Sequence, residues 1–287
     1  MSAYRFCRTD DIALLVDALN SCWAPYFPDE PPATSPAFKR SIRDLQVWCS
    51  SCMVAFSGSD PIGVLIGAKR PTGTLVHRIA VAPEHRRQGH GRHLLASLGS
   101  KLAILGPPRI IAEVPETLAD GCKLFQGSGF LEEVLLTDYI LNGGDSDVRT
   151  VDGLFVIPVT VDDLAANGLL GEADPPVCWE RSVETLTARR GEIAGLAVAS
   201  ADRIEAYVLY RTCGVSEDAA EIVSLRSFVD DGGDRQVELL SRLRARGRGT
   251  VRFPKVHPAE VPPGWLDRLG FRPAGTHRLY AATARSA

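Results

Sequence analysis

The sequence predicts a duplicated α+β protein: one domain of about 140 residues, written twice in tandem. Three observations lead there. The chain has 287 residues, about twice the ~150 expected of a single domain. Its halves carry the same landmarks in the same order, offset by about 140–145 residues. Between those landmarks each half alternates short apolar strands with an amphipathic helix, the mark of mixed α and β structure.

The landmarks are specific. MVAFSGSDPIGVLIG (53–67) and GLAVASADRIEAYVL (195–209) align with Val54/Leu196, Phe56/Val198, Asp60/Asp202, Ile62/Ile204 and Ile66/Val208 in register, and each reads as two strands joined by a polar turn. Gly129-Phe130 matches Gly270-Phe271, Tyr139 matches Tyr280, and Leu94-Leu95 matches Leu239-Leu240. Small drifts in the offset are what loop insertions produce.

In the first half, strand 3–8 leads into a helix from Thr9, a candidate N-cap, to about Cys22, with Ile12, Leu15, Val16 and Leu19 on one face. The segment 25–36 holds five prolines and reads as a loop, followed by a helix over about 37–46. Strands are predicted at 52–58, 61–69 and 73–82, and a helix over about 89–104 with the stripe Leu94, Leu95, Leu98 and Leu102. Strand 109–114, helix 117–127 and strand 130–141 complete the copy, and the second copy begins at strand 153–158. The Gly/Asp-rich stretch 143–153 reads as a linker, which divides the chain into domains 1–144 and 145–287.

Composition narrows the class. Hydrophobic residues are 45% and charged residues 23%, which excludes disordered and collagen-like chains. The net charge of −3 argues against a nucleic-acid partner. It divides unevenly: the first 144 residues hold fourteen cations and fourteen anions, so the acidic excess belongs to the second half. No apolar run nears the ~18 residues of a membrane span, and charges in the first thirty residues break any signal-peptide core. Seven irregularly spaced cysteines fit reduced thiols, so the expected location is cytoplasmic.

The chemistry concentrates in VAPEHRRQGHGRHLL, residues 81–95. Arg86-x-x-Gly89-x-Gly91 lies between a strand and a helix. Glycines let backbone approach a ligand closely, and the unpaired N–H groups of a helix's first turn favour an anion. Arg86, Arg87 and Arg92 add positive charge, so a pyrophosphate suits the loop. With 27 arginines and 26 glycines the hexapeptide alone arises by chance roughly 0.2 times in such a chain; its place between an apolar strand and a Leu-striped helix gives it weight. No GxxxxGK[ST] occurs, and no GxGxxG follows the first strand. His85, His90 and His93 lack a recognisable further ligand, and Cys49-x-x-Cys52 has no partner pair, so no metal is expected.

HRIAVAPEHRRQGHGRHLL resembles the acyl-CoA motif of the GNAT (Gcn5-related N-acetyltransferase) superfamily, and LFQGSGF resembles its helix-to-strand segment LYxxxGF. The resemblance covers about residues 3–142 and extends weakly over the second half. It implies two tandem GNAT-like domains, each a mixed, mostly antiparallel sheet flanked by helices, with strands 73–82 and 109–114 splayed around acetyl-CoA or another acyl-CoA. By the resemblance, backbone of Ile79, Ala80 and Val81 holds the pantetheine arm. Amides of Arg87, Gln88, Gly89, His90, Gly91 and Arg92 wrap the pyrophosphate, Arg86 opens the motif, and a strand N–H polarises the thioester carbonyl. An amine then attacks the thioester, which needs a base for the ammonium proton and an acid for the thiolate.

The sequence departs from that pattern at Phe125, which the resemblance still places against the cofactor but where the family often has a Tyr acid, and at Leu118, where it often has Asn. Glu113 and His77 are the candidate catalytic substitutes, with Glu116 and Cys122 behind them, and Tyr26 in the Pro-rich loop is a candidate lining of the acceptor pocket. The second half places Asp230, Asp231 and Asp234 where the first has arginines, and carboxylates repel a pyrophosphate; it reads as a degenerate copy. The expected function is acyl-CoA-dependent N-acyl transfer, acetyl to a primary amine on a small molecule or peptide, with no nucleic-acid or membrane partner and with homodimerisation open. The alternative is a non-catalytic acyl-CoA-sensing or partner-binding protein.

Overall fold

The structure, a computed structural model, describes residues 2–142, 154–171, 177–213, 219–246, 249–261 and 264–285. The expected linker at 143–153 lies outside the described residues. The chain packs as two compact units: residues 1–134 with 278–287, and residues 135–277.

In the first unit, β1 (Ser2–Phe6), β2 (Met53–Ser57), β3 (Asp60–Arg70), β4 (Gly73–Val81) and β5 (Arg109–Pro115) are neighbours in that order. The first four run antiparallel, and β5 runs parallel to β4. Helix α1 (Ile12–Cys22) starts at Asp11 rather than Thr9 and buries Leu15, Ala18, Leu19 and Cys22, a stripe at helical spacing. Asp11 instead accepts hydrogen bonds from the Arg8 amide and the Arg5 guanidinium. Helix α2 (Ser35–Leu45) is capped by Thr34, whose hydroxyl accepts the Ala37 amide at 3.3 Å, with Pro36 in the first turn.

Helix α3 (His90–Leu105) buries Leu94, Leu95, Leu98 and Leu102, the predicted stripe, against β2, β3 and β5 residues such as Met53, Leu65 and Ala112. Each fully buried Leu contributes about 1.5–3 kcal/mol, which fixes how α3 lies on the sheet. Helix α4 (Ala119–Gln126) ends in a turn where the Phe130 amide reaches back to the Phe125 carbonyl and Gly129 takes φ +82. The second copy repeats this at Phe271, Leu266 and Gly270, with φ +85. Only a residue tolerant of the left-handed region closes such a helix end, so the Gly-Phe landmark encodes one turn used twice.

The second unit begins with Leu135–Leu141 of β6 (Leu131–Leu141) and contains β7 (Phe155–Val159), α5 (Val161–Ala166), α6 (Val183–Ala188), β8 (Ala194–Ala199), β9 (Ile204–Cys213), β10 (Ala219–Ser227), α7 (Asp234–Arg246), β11 (Val251–Val256), α8 (Trp265–Arg268) and the start of β12 (Arg272–Thr283). Here β7 to β10 are antiparallel neighbours and β11 is parallel to β10. A buried ion pair anchors the unit: Arg181 grips Glu260 at 2.5 and 2.6 Å and lies over the Phe253 ring.

The partition departs from the division at 144/145. The end of β6 pairs with β11, Leu141 opposite Val251 and Tyr139 opposite Phe253. The end of β12 packs in the first unit: Ala284 donates to the Pro108 carbonyl, and Arg278 pairs with Glu116 and Glu132 at 2.6 Å. Each copy's last strand therefore completes the core of the other unit. Tyr280 is wholly buried there, its ring parallel to Phe125 with centroids 5.9 Å apart. Alternating apolar residues mark a strand but do not say which edge it pairs with.

Removing the Tyr280 ring leaves a cavity in the first core. Tyr280→Ala is expected to destabilise the first unit by roughly 3–5 kcal/mol, measured by chemical denaturation. Residues 1–144 expressed alone lack that ring and are expected to be less stable than the same unit in the full chain.

Candidate active site

After Thr74–Ile110 and Leu75–Ile111, β4 and β5 stop pairing. A bulge lies just beyond: Ile66 faces Arg78 while Gly67 faces Val76, so His77 is an extra residue in β4. Bulges re-aim the strand that carries them. A cleft of about 670 Å3 opens at this end of the sheet. Its floor is Ile79, Ala80 and Val81 of β4; one wall is the loop and first turn of α3, the other the first turns of α4.

Arg87 and Gly89 take φ of +61 and +89. No atom lies within 4 Å of a Cβ added at Gly89, so conformation and not space demands glycine there. At Gly91 the reason is space, because a Cβ would sit 3.2 Å from Leu124 of α4. Intrahelical bonding begins with the His93 amide on the Gly89 carbonyl, leaving the amides before it to point out of the helix end. The His90 ring anchors that end: it is buried, and Tyr4 of β1 meets its Nδ1 at 2.6 Å. The His93 ring lies tilted against the same Tyr4 ring, with centroids 3.8 Å apart.

Arg86, Arg87, Gly89, His90, Gly91 and Arg92 all line the cleft, as do the three β4 residues. Gln88 does not; its side chain turns back to the Glu84 carbonyl. Phe125 does not either. It faces the core, edge-on to Phe130 and parallel to Tyr280, because α4 turns Cys122 and Phe125 inward and Leu118, Gly121 and Leu124 toward the cleft. The candidate catalytic residues Glu113 and His77 are half-buried and outside the lining. Glu116 is committed to Arg278.

Two further parts of the lining carry no motif. Trp23, Tyr26 and Phe27 come from the turn after α1, and Trp23 stacks on Phe27 with ring centroids 4.4 Å apart. The Tyr26 hydroxyl donates to the Val81 carbonyl at 2.6 Å. Asp120 of α4 binds both Arg86 and Arg87, the latter at 2.7 Å. The Arg86 hydrogen bond, then the Arg87 charge, hold its carboxyl below the usual range. Sequence gives no sign of this link across more than thirty residues.

The second unit has a corresponding cleft of about 600 Å3, bounded by the end of β10, the loop 228–233 and Trp265. Its β10 and β11 pair only over Ala220–Val251 and Glu221–Arg252 among the described residues. Asp231 sits just before α7. It accepts the Gly233 and Arg235 amides at 3.0 Å and the Arg235 guanidinium at 2.7 Å, and Glu205 holds Arg235 from the other side. Burial pushes the Asp231 carboxyl up, but the Arg235 side chain and the two amides outweigh it and hold the group below its ordinary value.

Among the described residues, no group of three or more His, Cys, Asp or Glu side chains is placed to hold a metal ion, and no helix is long and apolar enough to cross a membrane. The Cys49-x-x-Cys52 thiols are free and buried, and burial pushes both up, away from reactive thiolate.

The Asp231 cap generates a pH-dependent prediction. Its folded pKa lies below the unfolded ~3.9, so its contribution is present above that value and is lost as pH falls through the folded pKa. Asp231→Ala is expected to cost the second unit about 1–2 kcal/mol at pH 7, and urea titrations of the two proteins should converge as pH drops below roughly 4.

Residues 13–130 match the acetyltransferase (GNAT) family. In fold the whole chain is similar to a tandem GNAT protein from the clavulanic acid biosynthesis pathway, with 16% identity and TM-score 0.67 over all of both chains. A GCN5-related N-acetyltransferase from Sphaerobacter thermophilus is similar at 14% identity and TM-score 0.67, covering 99% of this chain and 96% of the other. A putative acetyltransferase from Pyrococcus horikoshii is similar at 16% identity and TM-score 0.63, covering 99% and 90%. No curated protein matches the sequence. Residues 13–130 thus match the acetyltransferase (GNAT) family, and the fold of the whole chain is that of tandem, two-domain GNAT structures.

Proposed function

We propose that the chain is an acyl-CoA-dependent N-acyltransferase whose first unit alone binds the acyl donor, acetyl-CoA or another acyl-CoA. Acyl transfer from acyl-CoA is the general chemistry of the family. The observation that carries the reading is the contrast between the two loops. At α3 the first-turn amides open onto a cleft with Arg86, Arg87 and Arg92 around them. At α7 the equivalent amides are already taken by Asp231. A diphosphate has donors and positive charge to meet in the first unit, and a fixed carboxylate in the second.

In this reading the amides from Arg87 to Arg92 hold the diphosphate, and the parted β4 backbone at Ile79–Val81 holds the pantetheine arm. A primary amine on a small molecule or peptide enters along the aromatic turn Trp23–Phe27 and attacks the thioester carbon. The C–N bond forms, the C–S bond breaks, and the amine's surplus proton leaves to a base or water while the thiolate takes one up. Phe125 has no proton to give, so this unit works without the acid that the family often places there. Glu113 and His77 stay the proposed participants in proton transfer, by relay through water since neither lines the cleft.

The same observation about Phe125 favours one alternative, a protein that binds acyl-CoA and does not turn it over. Thiol release from acetyl-CoA, measured against a panel of amines, separates the two: release with any amine supports the transferase, and binding with no release supports the sensor.

Calorimetric titration is expected to give one CoA per chain. Two sites of similar affinity would refute the assignment of the second unit. Gly89→Asp introduces a carboxylate where no side chain is crowded, and is expected to weaken CoA binding by roughly a hundredfold, about 2.7 kcal/mol. Wild-type affinity in that variant refutes the loop assignment.

A further inference from the structure

We propose that Asp120 is a built-in competitor for the acyl donor's diphosphate, and that displacing it sets the affinity of the cleft. The inference rests on the acyl-CoA reading of the first unit and adds a residue to which neither motif nor resemblance points.

The geometry is that of a stand-in anion. One carboxylate oxygen takes the Arg87 guanidinium at 2.7 Å and the other takes Arg86. Two oxygens on two arginines is the pairing that a phosphate group offers. Asp120 comes from α4, which also lines the cleft, so the link joins two of its lining elements. It continues to the third wall: the Arg86 guanidinium lies 5.7 Å over the Tyr26 ring, and the Tyr26 hydroxyl holds the Val81 carbonyl at the cleft floor. Tyr26, Arg86 and Asp120 together strap the opening.

The strap is of a kind that a ligand can release. The Asp120 side chain is 50% exposed and Arg87 72% exposed, and exposed ion pairs are individually weak. Both partners of the carboxylate, Arg86 and Arg87, are flexible side chains, and the amides of α3 remain for the ligand. Asp231 differs on each count: its side chain is 14% exposed and it holds two backbone amides. The diphosphate carries more charge than one carboxylate and gains the amides as well, so it wins the arginines from Asp120 but not from Asp231.

A plain organising role for Asp120, orienting the arginines for the ligand, predicts the opposite sign. The test is calorimetric titration of the full-length protein with CoA and with pantetheine, which has no phosphates, for wild type, Asp120→Asn and Asp120→Glu. Asp120→Asn is expected to bind CoA about three- to tenfold more tightly, with pantetheine unchanged and Asp120→Glu near wild type. Thermal melts of the unliganded proteins verify folding. Unchanged or weaker CoA binding by Asp120→Asn overturns the inference, and so does an equal gain for pantetheine. Failure of wild type and variant alike to bind CoA removes the acyl-CoA reading and this inference together, whereas wild-type binding without the gain removes this inference alone.

Discussion

Parallel pairing between β4 and β5 ends after Leu75 and Ile111, and the arrangement of the candidate site follows from that parting. Two adjacent strands that separate leave backbone groups without ladder partners. At the same end, the bulge at His77 changes the course of β4. The Leu stripe of α3 then fixes where the Arg/Gly loop must sit, because four leucines have one face of the sheet to bury against. The first-turn amides of α3 are thus held at the open end of the sheet by hydrophobic packing that has no chemistry of its own.

Two carboxylates show how one scaffold is tuned to opposite ends. Asp231 is written into its own loop, close in sequence to the amides it caps, and it stabilises the helix start. Asp120 reaches its arginines from a separate helix and leaves the backbone donors alone. Charge counts cannot separate these cases. Both are aspartates beside arginines, and the difference lies in whether the bond is to fixed backbone or to mobile, solvated side chains.

The exchange of last strands gives the duplication a structural consequence. Tyr280 lies in the second copy's sequence and in the first unit's core, against Phe125 and Cys122. The aromatic volume at the end of α4 is supplied from both copies, and neither copy as a stretch of sequence holds a complete core.

The sequence by itself determined the repeat, the strand and helix order, the α3 stripe, the Gly-Phe turn and the Arg/Gly loop. All of these are local: they depend on apolar periodicity, on positive φ at Gly89, Gly129 and Gly270, or on residues within a few positions of one another. Only the tertiary structure decided the partners. It assigned Tyr280 to the first unit, turned Phe125 into the core, kept Glu113 and His77 off the cleft wall, joined Arg181 to Glu260, and brought Asp120 to Arg86 and Arg87. The reason is physical. A strand's pattern states which face it buries but not which edge it joins, and a surface charge carries no record of the opposite charge that folding brings within 3 Å of it.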